Sequence, residues 1–266
     1  MKVRIISAII MVAVFVPLLI IGDLPFALLM AVLGIGGLYE LLKVRESKKK
    51  IPRIIKLFAY VMVFAFCMYN FDSIEFHSEF DYRVMALILS LFLVPIVFVN
   101  DNDKYNFNDA LYVIGSLLFV GLSFNLIVLI RNFDIHYIIY LLLVTTITDT
   151  FALFSGLLVG KHKMCPKISP KKTWEGLVGG VLMGTFVATA FFFTVINANT
   201  SLVFLIFSTA FLCLVGQIGD LVFSSIKRYY DVKDFSEIIP GHGGILDRFD
   251  SLIFVTLAFI LLLGIL

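Results

Sequence analysis

Apolar runs of about 20 residues, separated by short polar segments, recur along the whole chain. They lack the period-two alternation of a β-barrel strand, so each run reads as a helix that satisfies its own backbone. Nine candidate spans follow, at 5–22, 24–42, 54–71, 83–99, 109–130, 136–159, 176–197, 201–223 and 251–266. The longer connections are 43–53, 72–82, 160–175 and 224–250. The expected fold is all-α, a polytopic membrane bundle of about nine transmembrane helices. It is expected to form a single membrane domain over 1–266, with motif-poor helices in 1–135 and the chemistry in 136–266.

Charge orients the bundle. The connection after the second span carries Lys43, Arg45, Lys48, Lys49, Lys50 and Arg53, with Lys56 just beyond. The one after the sixth carries Lys161, Lys163, Lys167, Lys171 and Lys172, whereas the one after the third holds Asp72, Glu75, Glu79 and Asp81. A cytoplasmic amino terminus puts both lysine-rich connections, and 224–250, on the inner side. The acidic connection 100–108 also falls inside, but acidic residues weigh little in this rule. Lys2 and Arg4 precede an apolar run too long for a signal peptide, with no small-residue cleavage site after it, so it reads as a retained first span.

Composition agrees. A mean hydropathy of +1.03 and 61% hydrophobic residues exclude an ordinary soluble domain, and a net charge of +2 is too small to imply nucleic acid. Cys67, Cys165 and Cys213 are widely spaced, with no CxxC pair, and read as ordinary thiols.

Charge inside this apolar background marks candidate chemistry, because ionised groups are costly in lipid. The stretch Ser224–Ser251 is the most polar. Its Pro240-Gly241-His242-Gly243-Gly244 run cannot continue a helix and reads as a turn whose N–H groups are placed to cradle an anion. Asp247 and Asp250 share a helical face. They read either as metal or phosphate ligands or as caps of the ninth span. Gly216, Asp220, Ser224 and Lys227 recur at helical spacing along one face of the eighth span. Asp149 lies within the sixth span on a stripe with Thr145, Ala152 and Gly156. Either a structural ion pair or a functional site accounts for Asp149 and Asp220. Ser169-Pro170 reads as a helix start, with serine as cap and proline in the first turn. Lys171, Lys172 and Trp174 then read as an interfacial anchor or a phosphate site. Gly176, Gly180 and Gly184 form two successive GxxxG steps, implying close helix contact within the bundle or across a homodimer.

These motifs carry a resemblance. Ser224-x-x-Lys227-Arg228, Lys233-Asp234 and His242-Gly243-Gly244-x-x-Asp247-Arg248-x-Asp250 together resemble the signature of the phosphatidate cytidylyltransferase (CDP-diacylglycerol synthase) family. Ser169-Pro170-Lys171-Lys172-Thr173-Trp174-Glu175-Gly176 is similar to a second motif of that family, and the likeness covers roughly 145–251. It implies an integral enzyme of the cytoplasmic membrane, its site facing the cytoplasm, that makes CDP-diacylglycerol and pyrophosphate from CTP and phosphatidate. It implies Mg²⁺ as cofactor, with a second metal ion left open, and Asp220, Asp247, Asp250 and Asp149 as candidate ligands. Lys171, Lys172, Lys227, Arg228 and Arg248 would form a cationic clamp. Ser169, Thr173, Glu175, Ser224, Lys233, Asp234, His242, Gly243 and Gly244 would join the lysines in binding substrates. Two other readings stay open at this point: a CTP-dependent polyprenol or phytol kinase, and an ion-coupled secondary transporter using Asp149.

Overall fold

A computed structural model of the chain describes residues 2–69, 71, 82–99, 104–196 and 200–263. Apart from one short hairpin, its regular structure is helical. Six of the described helices are long and apolar enough to cross a membrane: Val3–Ile21, Asp23–Glu46, Phe107–Phe133, Ile135–Leu158, Trp174–Ile196 and Leu202–Tyr229. The acidic connection expected at 72–82 lies almost wholly outside the described residues. The chain forms two compact units, 1–133 with 235–245 and 134–234 with 246–266.

In the first unit, α1 (Lys2–Ile21), α2 (Asp23–Glu46), α3 (Arg53–Tyr69) and α6 (Phe107–Phe133) are the long elements. Between α3 and α6, the apolar run expected as one span is broken into α4 (Tyr82–Leu93) and α5 (Pro95–Val99). Pro95 causes the break, because it has no N–H to donate and its ring crowds the preceding turn. Helices α2, α3 and α6 pack on one another, burying Met30, Leu38, Val63, Leu117 and Phe124 completely. Their ends are tied by charge. Asp109 at the start of α6 is buried and receives Arg45 at 2.9 Å and Lys49 at 2.5 Å from the α2 end. At the other end of α6, Arg131 donates to the carbonyls of Leu19 and Ile20 at 3.0 and 2.8 Å.

The polar segment 235–245 belongs to this unit, and Glu40 of α2 holds it. Glu40 is fully buried and accepts from Ser236 Oγ at 2.5 Å and from Ile245 N at 2.8 Å. Gly241 and Gly243 adopt φ of +77° and +87°, so the turn needs residues without a β-carbon there. The Ile239 N–H donates to Gly243 O, and the His242 and Gly243 N–H groups both donate to Ile239 O. Two of the donors expected to cradle an anion, the His242 and Gly243 N–H groups, are therefore used within the turn. His242 Nδ1 lies 2.8 Å from the Ser7 hydroxyl of α1.

The second unit contains α7 (Ile135–Leu158), the hairpin β1 (Lys163–Cys165) and β2 (Ser169–Thr173), then α8 (Trp174–Phe191), α9 (Leu202–Tyr229) and α10 (Leu246–Leu263). A π-helical turn, Phe192–Ile196, continues α8. The hairpin corrects the expected helix start at Ser169-Pro170. Ser169 to Thr173 is extended and pairs with β1. The cap stands at Thr173, whose hydroxyl accepts from Gly176 N at 3.1 Å. The α9 helix also runs beyond the expected end at 223, through Ser224, Lys227 and Arg228. No glycine or proline interrupts it there, and basic residues suit the last turn of a helix.

The GxxxG steps form an antiparallel seam between α8 and α7. A β-carbon at Gly176 would meet Ala152 O at 2.7 Å and Gly156 Cα at 3.3 Å. One at Gly180 would meet Thr148 O at 2.6 Å, and one at Gly184 would collide with the Thr148 hydroxyl. The stripe is thus used within the chain, and the feature that suggested a homodimer needs none. Gly180→Val is expected to lower the melting temperature in detergent by about 5 °C or more, because the obstacle is α7 backbone that cannot move alone. Gly115→Ala, with nothing within 4 Å of its β-carbon, should leave it unchanged or slightly raised. Equal melting of both variants would contradict the seam.

Candidate active site

Helices α7, α8, α9 and α10 and the hairpin enclose one open cavity of about 590 Å³ in the second unit. Lysines reach it from the hairpin and aspartates from three helices: Lys163, Lys171 and Lys172, with Asp149, Asp220, Asp247 and Asp250.

Each carboxylate has a defined neighbour. Lys172 Nζ lies 2.8 Å from Asp220 Oδ2 and also donates to Gln217 O at 3.1 Å. The Ser224 hydroxyl, one turn along α9, donates to Asp220 Oδ1 at 3.3 Å. Asp149 accepts from Gln217 Nε2 at 2.5 Å and from the Ser251 hydroxyl at 3.4 Å, so α9 and α10 both orient it. Lys227 Nζ lies 2.6 Å from Asp247 Oδ1, and both side chains are nearly excluded from solvent, 10% and 4% exposed. Asp250 Oδ1 accepts from Ser251 N at 2.7 Å. Asp247 is the second residue of α10, inside its first turn, and its carboxylate faces Lys227 across to α9.

The cavity thus brings together Asp149, Lys171, Lys172, Thr173, Asp220, Asp247 and Asp250 from the motifs singled out in the sequence, and Lys227 reaches it through Asp247. Other motif residues stand elsewhere. Arg228 donates to the carbonyls of Ile168 and Val232 at 3.4 and 3.1 Å, bracing the hairpin against the end of α9. Glu175 receives His162 Nδ1 at 2.6 Å and the His162 N–H at 3.2 Å, fixing the hairpin's entry. Lys233, Asp234 and Arg248 are solvent-exposed and Ser169 is half-buried, and none of the four lines the cavity. His242, Gly243 and Gly244 sit in the first unit on the Glu40-bound turn.

Gln217, Ser251 and Glu40 were not singled out in the sequence. A lone glutamine in an apolar helix is itself a signal, because an unpaired amide there is costly. Glu40 carried a stronger one, a carboxylate inside an apolar run.

Among the described residues, no three His, Cys, Asp or Glu side chains converge closely enough to form a protein-only metal cage. Mg²⁺ does not require one. It is commonly held by one or two carboxylates, with water and substrate phosphate oxygens completing the octahedron. Asp149 and Asp250 suit that role, since neither has its oxygens committed to a lysine in the structure. Mixed charge in one cavity at the ends of apolar helices fits a ligand with several phosphates and a divalent cation.

Comparison with known proteins bears on the same chemistry. The chain matches the model of the cytidylyltransferase family over residues 2–266. It is 37% identical over 259 residues to the phosphatidate cytidylyltransferase of Bacillus subtilis (strain 168), covering 96% of this chain and 94% of that protein. The phosphatidate cytidylyltransferases of Staphylococcus saprophyticus and Staphylococcus haemolyticus are 39% and 37% identical over 256 residues, with 96% of each chain covered. With a match that spans nearly its whole length, the chain belongs to the cytidylyltransferase family.

Proposed function

We propose that this enzyme transfers the cytidylyl group of CTP to phosphatidate, giving CDP-diacylglycerol and pyrophosphate. The observation that carries the reading is the second-unit cavity, where three lysines and four aspartates meet at the ends of apolar helices. A lipid phosphate oxygen forms a bond to the α-phosphorus of CTP, and the bond from that phosphorus to the bridging oxygen breaks, releasing pyrophosphate. The attacking oxygen is already anionic, so no strong base is needed. The barrier is the repulsion between two polyanions and the need for in-line geometry. Lys171 and Lys172 neutralise phosphate charge, and Asp220 holds Lys172 in place. Lys227, braced by Asp247, adds positive potential at the α10 start.

Mg²⁺ is the cofactor we assign; Asp149 and Asp250 would hold it with support from Asp220 and Asp247, and it would supply charge neutralisation at the phosphates. Turnover in purified protein is expected to vanish in excess EDTA and to return when Mg²⁺ is restored. Full turnover with chelator present would remove the metal from the account.

The topology we infer places the amino terminus in the cytoplasm. Helices α3, α4–α5 and α10 would complete nine crossings alongside the six longer ones; the 17 residues of α3 are at the short end of what spans a bilayer. Lysine-rich connections 43–53 and 160–175 then face the cytoplasm, where CTP is, while the acyl chains of phosphatidate remain in the bilayer. A single cysteine at position 167, in a background without the three native ones, should react with an impermeant thiol reagent only after the inner face is opened. Labelling in intact cells would invert the topology.

A further inference from the structure

The first unit has a cavity of its own, of about 590 Å³, where α2 ends and α3 begins. Among the described residues, Lys50, Arg53, Lys56 and Lys104 line it with a single carboxylate, Glu46. Glu46 is engaged by Lys56 Nζ at 2.7 Å and by Ile51 N at 3.3 Å, so its charge is directed to Lys56 rather than to Lys50 or Arg53. Lys50 and Arg53 are solvent-exposed beside Ile51, which is buried and fixes the floor. The first turn of α3 directs its N–H groups to the same end and contains no acidic residue. Arg45 and Lys49 are drawn away to Asp109, so the positive character of the cavity comes from a different set of cations.

Position supplies the second half of the argument. Both α2 and α3 are apolar, and the segment 47–52 joins them, so it lies where the helices leave the hydrocarbon. Cations at that depth meet phosphate groups, and each contributes on the order of 1 kcal/mol to attraction by an anionic surface.

We propose that this cavity is a phosphate-anion site, formed wholly by the first unit, that takes the headgroup of an anionic phospholipid or a free phosphate. Lys50 and Arg53 contact the phosphate, the α3 N–H groups face it, and Glu46–Lys56 shapes the wall. The proposal does not rest on the cytidylyl-transfer reading, since it involves none of the second-unit residues.

The test uses the full chain in detergent. Dihexanoyl phosphatidylglycerol, below its micelle concentration, and inorganic phosphate are titrated separately by calorimetry. Lys50→Gln/Arg53→Gln is compared with the parent and with Lys161→Gln/Lys167→Gln, which removes the same charge from exposed positions outside the cavity. The Lys50/Arg53 variant should bind roughly 30-fold more weakly, as expected for two such contacts, and the control should bind as the parent does. Saturable binding of the lipid alone identifies a headgroup site, and binding of phosphate with equal affinity identifies a free-anion site. Binding of neither probe, equal binding by parent and variant, or equal weakening in the control would overturn the proposal.

Discussion

Asp247→Asn is expected to lower phosphatidate-dependent CTP turnover by about a hundredfold or more. The carboxylate stands 2.6 Å from Lys227 with 4% of its surface exposed, so its charge is opposed by that lysine more than by water. Asn keeps the shape and an acceptor oxygen but removes the carboxylate charge that faces Lys227 at 2.6 Å in the cavity wall. That costs up to about 3 kcal/mol of stability, and it also misplaces the positive potential needed at the phosphates. A purely structural pair makes a different prediction, which the reversed pair Lys227→Asp/Asp247→Lys exposes. If the pair only stabilises α9 against α10, the reversal restores both melting temperature and turnover. In the present account it restores the melting temperature and leaves turnover at least a hundredfold down, because a lysine replaces a carboxylate on the cavity lining. Melting and turnover on the same preparations separate the cases.

Lys172→Met should reduce kcat/KM for CTP by roughly a hundredfold, comparable to removing one preorganised donor from a charge-stabilising site. Lys172 touches both Asp220 and the Gln217 carbonyl, so its ammonium is held at a fixed point over the cavity rather than sampling solvent. Were it only the counter-ion of Asp220, removing both charges in Lys172→Met/Asp220→Asn would bring activity back near the parent. With Lys172 acting on phosphate, the double variant stays as impaired as the single one.

Much of this was legible before the structure, because burial in lipid makes sequence and position correspond closely. The expected spans 109–130, 136–159 and 176–197 fall within a few residues of Phe107–Phe133, Ile135–Leu158 and Trp174–Ile196. The misreadings have physical causes. Pro95 sits inside an apolar run that hydropathy alone cannot divide. Ser169-Pro170 has the chemistry of a helix start, yet strand pairing with β1 wins and leaves the cap to Thr173. At the site, Asp149, Asp220, Asp247 and Asp250 stood out because charge is expensive in an apolar chain. Gln217 and Ser251 orient Asp149 without carrying charge, so they stood out less than the aspartates, although a glutamine inside an apolar helix is itself a signal. The Pro240–Gly244 turn had the composition of an anion cradle, but the His242 and Gly243 N–H groups close on Ile239, a pairing no local pattern reveals.

The most direct test of cytidylyl transfer follows the label of CTP. Purified protein is incubated with phosphatidate, Mg²⁺ and CTP labelled either at the α- or at the γ-phosphate, and the lipid phase is extracted. The account predicts α-label in the chloroform phase, in proportion to released pyrophosphate, and γ-label wholly in the aqueous phase. Label from the γ-phosphate in the lipid, with none from the α-phosphate, would mean phosphoryl rather than cytidylyl transfer and would contradict the assignment.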